Sequence, residues 1–390
     1  MRMHCHEDSM MNGPARHDTV SVVPYLDATS AARPRAAALT GLGRSVQSFW
    51  ADPHHDHEFG RRSAGGLDAA REVVAKYVGA RTQDVIVTSS LTQAIDLAVQ
   101  GMAAARRRAA GDTFIGSAIA RTSVLHALEH CGKPALVSAD SSGCLEADEF
   151  SETFAAHDKV ALVAAEVANV EIGTIQPIDP VLTAAAEAGV PVLLDGSVAL
   201  TRTPLPEHWD ALVLDAGEWG CGFPLGFLVT GPRLRLRPTW PQDQDAWFPG
   251  GISPVWAFTA AVALEDAISN AEAEHARQRD LTDQLRRELA AKEQITVLGN
   301  EAKRLPHIVS LAVHGCDGEA LARALGRRGY AVGTGSACSS STIEPNHVLR
   351  AMGVDFDGHL RITLDHQSTV DDIAGLSTAL DTALDEVIDN

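Results

Sequence analysis

The sequence predicts an α/β fold: a mainly parallel central sheet with helices on both faces, followed by a smaller α+β C-terminal domain. Two observations carry this. Short, continuously apolar runs recur as far as Gly231, with helical patterns between several of them, which is how strands covered on both faces read. The chain is also long enough, since 390 residues at 45% hydrophobic content can bury one large core and a satellite.

Taken in order, residues 1–22 are polar and read as a disordered N-terminal segment, and "VVPYLDATSAA" reads as a short extended entry. "LDAAREVVAKYVGA" (67–80) has helical spacing, "DVIVTSS" (84–90) is a β-branched strand, and "LTQAIDLAVQGMAAARRRAA" (91–110) is a helix that starts at once after it. Buried strands are expected at "TFIGSA", "PALVSAD", "VALVAAEV", "PVLLDGS", "DALVLDAG" and "GFLVTG", with helices at "VLHALEH" and "PVLTAAAEAG". Past the Pro/Gly-rich "FPGGISPV" (248–255), a long helix runs through Arg287. It is followed by "HIVSLAVHG", "GEALARALGRRGYAVGTG" and "HLRITLD", a smaller α+β pattern. The division is therefore a large α/β domain over 23–255 and a small domain over 256–390. In such a sheet, ligands gather at the carboxyl ends of the strands.

Charge and cysteine use narrow the function. A formal net charge of -19 repels nucleic acid and anionic membranes, so small molecules and proteins are the expected partners. No apolar run is long enough to span a bilayer, and the N-terminus lacks the apolar core of a secretory signal, so a cytoplasmic protein is expected. The six cysteines, Cys5, Cys131, Cys144, Cys221, Cys316 and Cys338, include no C-x-x-C pair, which suits reduced thiols. The histidine-rich "HCH" (4–6) and "DPHHDH" (52–57) read as solvated segments rather than metal sites.

Asp195 ends the strand "PVLLD", where a carboxylate needs a cationic or hydrogen-bonding partner to offset its desolvation. Two readings stand: a backbone-bonded or capping carboxylate, or the partner of a protonated ring nitrogen such as that of pyridoxal phosphate (PLP).

"YLDATSAARPR" (25–35), "DPHHDHEFGR" (52–61), "TSSLTQAIDLA" (88–98), "NVEIGTIQPI" (169–178), "LLDGS" (193–197), "GTGSACSSS" (333–341), "PNHVLRAMG" (345–353) and "LRITL" (360–364) occur in order along the chain. In that order and spacing the sequence resembles the cysteine desulfurases, which are class V, fold-type I aminotransferase-like proteins. The resemblance runs from about residue 24 to near the end. It implies a fold-type I architecture, a homodimer, PLP as cofactor, and a sulfur-acceptor or iron–sulfur scaffold protein as partner. By the same resemblance Cys338 matches the loop nucleophile that takes sulfur from cysteine. Its glycine- and serine-rich setting suits an exposed thiol that can ionise. Arg361 matches the arginine that grips the substrate carboxylate, Thr92 the residue opening the helix that binds the cofactor phosphate, Asn169 the asparagine near the phenolic oxygen, and His57 a structural histidine.

The resemblance breaks at "LVLDAGEWGCGFPLG", where Asp215 falls on the family's serine, Gly217 on its histidine and Glu218 on the lysine that forms the imine. The chain's lysines are Lys76, Lys133, Lys159, Lys292 and Lys303, and none follows Asp195 at a comparable distance. Arg121 lies where the family places the histidine that stacks on the cofactor ring, and Ser90, Leu91, Gln93 and Val198 also depart from the pattern. A carboxylate about 4 Å from a phosphate oxygen costs roughly 4 kcal/mol at an effective dielectric near 20, about a thousandfold in affinity. Three readings follow. The first is a desulfurase-like protein without PLP-lysine catalysis, working through Cys338. The second is an enzyme binding PLP or another phosphorylated ligand noncovalently, with Glu218 as acid-base group. The third is an ordinary desulfurase whose lysine comes from another chain.

Overall fold

The computed structural model describes residues 23–240, 245, 247, 250–335 and 346–388. The expected disordered segment 1–22 and Cys338 both lie outside these residues.

In chain order the elements are β1 (Tyr25–Leu26), α1 (Ala36–Ser48), α2 (Glu58–Val78), β2 (Val85–Thr88), α3 (Leu91–Ala110), β3 (Thr113–Ser117), α4 (Thr122–Cys131) and β4 (Lys133–Val137). There follow α5 (Ala147–Ala156), β5 (Leu162–Glu166), α6 (Ile178–Glu187), β6 (Val192–Asp195), β7 (Ala211–Asp215) and β8 (Gly226–Thr230). The C-terminal part holds α7 (Pro254–Leu289), β9 (Ile295–Val297), β10 (Ile308–Val313), α8 (Gly318–Arg327), β11 (Ala331–Val332), α9 (His347–Ala351), β12 (Gly358–Thr363) and α10 (Val370–Ile388).

The central sheet runs β2-β8-β7-β6-β5-β3-β4. Strands β7, β6, β5, β3 and β4 are mutually parallel, and β8 lies antiparallel between β2 and β7. Every residue of β5, β6 and β7 is buried, as expected of strands with helices on both faces. Each of these three strands ends in an acid, and Glu166 and Asp195 sit side by side in register. The smaller antiparallel sheet is β12-β10-β9, and its core gathers Leu281, Leu285 and Leu289 of α7 with Leu376 and Leu380 of α10.

One helix begins earlier than its periodicity indicates. The expectation was 67–80, whereas α2 starts at Glu58, because His57 caps it by accepting from Gly60 N at 3.0 Å. The first turns carry polar residues and glycines, which blur the apolar period without preventing the helix. The long helix also extends past Arg287 to Leu289.

Candidate functional site

The carboxyl ends of β5, β6 and β7 gather a buried set of charges. After β7 the chain enters a short 3₁₀ turn, Ala216–Trp219, capped by Asp215, whose Oδ1 accepts from Gly217 N at 2.9 Å. Glu218 on this turn is 2% exposed. Its Oε1 accepts from the backbone N–H of Ser30 at 2.6 Å, and its Oε2 accepts from Arg202 Nη1 at 2.9 Å. Arg202 Nη2 also donates to the Glu218 carbonyl at 3.0 Å. The glutamate is therefore fully engaged.

Gly217 makes that engagement possible. A Cβ there would sit 2.2 Å from the Ser30 carbonyl oxygen, so only glycine lets the two backbones approach. Ser30 itself has φ 61°, a left-handed conformation that costs a non-glycine residue about 1 kcal/mol or more. Its hydrogen bond to Glu218 helps hold it there.

A second pair lies alongside. Asp195 Oδ1 accepts from Ser197 N at 2.9 Å, and its Oδ2 accepts from Arg121 Nε at 3.3 Å. Arg121 Nη2 donates to Ser197 Oγ at 2.9 Å. Burial works against the Arg121 charge, but Asp195, then Asp215 and Glu218, raise its pKa above the ordinary value. The Asp195 carboxylate is thus bonded to backbone and to a cation, and that cation is a side chain of this chain.

The remaining acids titrate near neutrality. Burial, reinforced by Asp195, pushes Glu166 up to about 7, and burial with the Glu218 charge pushes Asp215 up to about 6. Ser117 Oγ donates to Glu166 Oε1 at 3.2 Å, while Oε2 has no partner among the described residues. A proton on Glu166 relieves its repulsion with Asp195.

The other expected site residues are also occupied internally, or lie exposed. Asn169 donates to Ile119 O at 2.7 Å and accepts from Glu171 N and Ile172 N at 2.9 and 3.2 Å. Arg361 pairs with Glu171 at 2.8 Å and with Asp27 at 3.3 Å, leaving its Nε without a partner among the described residues. Thr92 is exposed in the first turn of α3. There Ser90 Oγ accepts from Gln93 N, and Gln93 Oε1 accepts from Ser89 N. Such reciprocal capping satisfies donors that an anion would otherwise use. None of the chain's lysines stands at the end of β5, β6 or β7: Lys76 is in α2, Lys133 begins β4, and Lys159, Lys292 and Lys303 lie in connections.

This donor set does not fit a phosphate-bearing cofactor held as an imine. Four carboxyl groups, Glu166, Asp195, Asp215 and Glu218, meet two guanidinium groups, Arg121 and Arg202, and the two guanidinium groups are engaged by Asp195 and Glu218. The sequence reading missed Arg202, Glu166, Ser30, Glu171 and Asp27. Glu166 was legible as a third acid ending a buried strand. Arg202 was not, because a buried glutamate requires a counter-charge but spacing does not say which arginine supplies it.

The family model described as aminotransferase class-V matches residues 24–206 and 241–376. An IscS-like cysteine desulfurase of Mycobacterium tuberculosis is 31% identical over 369 residues, covering 90% of this chain and 93% of that protein. Cysteine desulfurase IscS of Dictyoglomus turgidum is 27% identical over 362 residues, covering 90% and 91%. Among solved structures, a NifS-like protein from Rickettsia africae superposes with a TM-score of 0.84 at 20% identity, covering 93% of this chain and 99% of that one. The apo cysteine desulfurase of Thermococcus onnurineus gives a TM-score of 0.82 at 15% identity, covering 94% and 95%. At these identities the structural matches speak to the fold.

Proposed function

The chain belongs to the aminotransferase class-V family, and within it we propose a cysteine-desulfurase-like protein of sulfur or iron–sulfur metabolism that has given up imine catalysis. The observation that supports this is Glu218, buried and bonded to both Ser30 N and Arg202. A lysine amine placed there would meet the Arg202 guanidinium instead of a free pocket. The Asp195–Arg121 pair supports the same reading, since the aspartate that would face a cationic ring already faces a cationic side chain.

Cys338 is then the working thiol, accepting sulfur rather than extracting it from cysteine. Its thiolate attacks the outer sulfur of a persulfidated donor thiol, the donor's S–S bond breaks as the new one forms, and the donor leaves as a thiolate. No external oxidant is required, and the low barrier of such an exchange follows from thiolate nucleophilicity. The homodimer, the cytoplasmic setting, a sulfur-acceptor or iron–sulfur scaffold partner, and the division at residues 23–255 and 256–390 belong to the same proposal. Incubation with a small-molecule persulfide followed by mass spectrometry should add one sulfur to Cys338 in the intact chain and none in Cys338→Ser. Equal labelling of both chains would refute the assignment.

A second reading keeps the pocket as an enzyme site of different chemistry, with Glu218, Asp195, Thr92, Asn169 and Arg361 around a noncovalently bound phosphorylated ligand. The near-neutral titration of Glu166 and Asp215 favours it, because groups poised there suit proton transfer. Saturable thermal stabilisation by PLP or another phosphate compound, lost in Asp195→Ala, would select this reading; no stabilisation by any such compound would remove it.

A further inference from the structure

The smaller sheet has one apolar face and one polar face. Val309, Leu311, Leu360 and Ile362 join the core formed with α8 and α10, so the alternate residues Ser310, His359 and Arg361 turn the other way. Past β11 the chain runs beside β12: Gly333 N donates to Arg361 O at 2.9 Å, and Arg361 N donates to Gly333 O at 2.7 Å. Two glycines on this stretch lie against side chains of β12. A Cβ on Gly333 would come within 3.3 Å of Arg361 Nη2, and one on Gly335 within 2.4 Å of His359 Nδ1. Gly335 also has φ 72°, so both space and backbone require glycine there.

The two side chains of β12 are satisfied to different degrees. Arg361 is held by Glu171 and Asp27. His359, 2% exposed, is held at one end only: Nε2 shares a hydrogen bond with Ser310 Oγ at 2.8 Å, and Nδ1 has no partner among the described residues. Burial pushes the His359 pKa down to about 4, so near neutral pH the ring is uncharged and carries one N–H. With the Ser310 hydroxyl donating to Nε2, that N–H is on Nδ1.

The acceptor it lacks is close by. Asn346 stands at the cap position of α9 with φ 57°, yet its side chain makes no cap hydrogen bond. Its Oδ1 is buried and has no partner among the described residues. The same Cβ on Gly335 would lie 2.8 Å from this oxygen. One unpaired donor and one unpaired acceptor therefore border the same small space over Gly335, and each costs free energy while it stays unpaired. Gly335 and Asn346 flank the stretch of sequence that carries Cys338.

We propose that His359 is a positioning residue for the sulfur-accepting thiol: a hydrogen bond from its Nδ1–H to Asn346 Oδ1, direct or through one water, joins the two ends of this stretch and fixes how Cys338 meets its sulfur donor. The inference rests on the acceptor role proposed for Cys338. The imidazole acts through Gly335 and Asn346 rather than on the sulfur itself. Joining the ends meets the entropy cost of ordering the stretch in advance, and the alignment of the thiolate with the S–S bond it attacks then governs the exchange rate.

The test uses two substitutions that divide the ring. An asparagine sets its amide near the Nδ1 position and keeps the bridge to Asn346, whereas a glutamine reaches toward Ser310 and gives the bridge up. With a small-molecule persulfide as donor, sulfur uptake at Cys338 read by mass spectrometry should slow about tenfold in His359→Gln, with an unchanged endpoint, and by less than about twofold in His359→Asn. Amide hydrogen exchange over residues 333–347 should quicken in His359→Gln and not in His359→Asn. Asn346→Gly keeps the left-handed backbone and deletes Oδ1; it should behave as His359→Gln does, and it replaces the ring variants if circular dichroism shows that they fold poorly. Unchanged uptake rates, equal losses in the two ring variants, as a packing role would give, or exchange indifferent to Asn346→Gly would each overturn the proposal. An intact chain that takes no sulfur at Cys338 would refute the acceptor role and with it the function given to the bridge, whereas the exchange result alone decides whether the bridge exists.

Discussion

The two poles of the central sheet treat charge in opposite ways. At the carboxyl ends of β5, β6 and β7, the arginines are consumed by internal partners: Arg121 by Asp195 and Ser197, Arg202 by Glu218. At the other pole, Arg106–Arg108 and Arg233–Arg237 stand without ion pairs among the described residues. Counting charged residues would rank both poles as binding sites. Pairing separates them, because a cation already bonded to a buried carboxylate offers little to a ligand, whereas the exposed arginines of the other pole form no ion pair among the described residues and only Arg106 is tied to a carbonyl, that of Gly189.

The contrast predicts where substitutions hurt. The largest effect is expected at Arg202, with 7% side-chain exposure against 1% for Glu218. Arg202→Ala strands a buried carboxylate and should cost about 3–5 kcal/mol in urea unfolding. A loss below about 1 kcal/mol would mean that Glu218 finds water or a proton cheaply, and the locked pocket would be a misreading.

Arg121→Met ranks next. Its partner carboxylate is buried but the arginine itself is 18% exposed, so a loss of about 2 kcal/mol is expected, that of one charge-assisted hydrogen bond partner. The same variant should raise the pKa of Asp215 further, because Arg121 lowers it in the intact protein. Carboxyl NMR titration reads that shift, and an unmoved Asp215 would show that the two do not interact.

Glu166 gives a pH signature. Its folded pKa is raised to about 7 from 4.5, so the folded state holds this proton more tightly than the unfolded chain. Its contribution is fully present below about pH 4.5 and is lost as pH rises through about 7, at up to about 1.4 kcal/mol per pH unit. Glu166→Gln should therefore gain on the intact protein as pH rises from 5 to 7.5. Parallel stability curves for the two proteins would exclude a raised Glu166.

The smallest effect is expected at the basic pole. Arg233→Gln/Arg235→Gln removes exposed groups with no ion pair, so thermal unfolding should change by less than about 0.5 kcal/mol. A larger loss would mean that these arginines serve the fold.

Much of the scaffold was legible in the sequence, because buried parallel strands are continuous apolar runs and β5, β6 and β7 have almost no other reading. The acids that end them were legible too, Asp195 and Asp215 by position and Glu218 by its place in the family pattern. The partners were not. Ser30 precedes Glu218 by 188 residues and Asp27 precedes Arg361 by 334, and nothing in local spacing encodes such contacts.

The most direct measurement is the visible spectrum of the purified protein with excess PLP, read together with alanine release from cysteine. With Glu218 locked to Arg202 and Ser30, no aldimine band forms, borohydride reduction fixes no cofactor to the chain, and no alanine accumulates. A stable aldimine band with stoichiometric alanine release would contradict the proposed loss of imine chemistry.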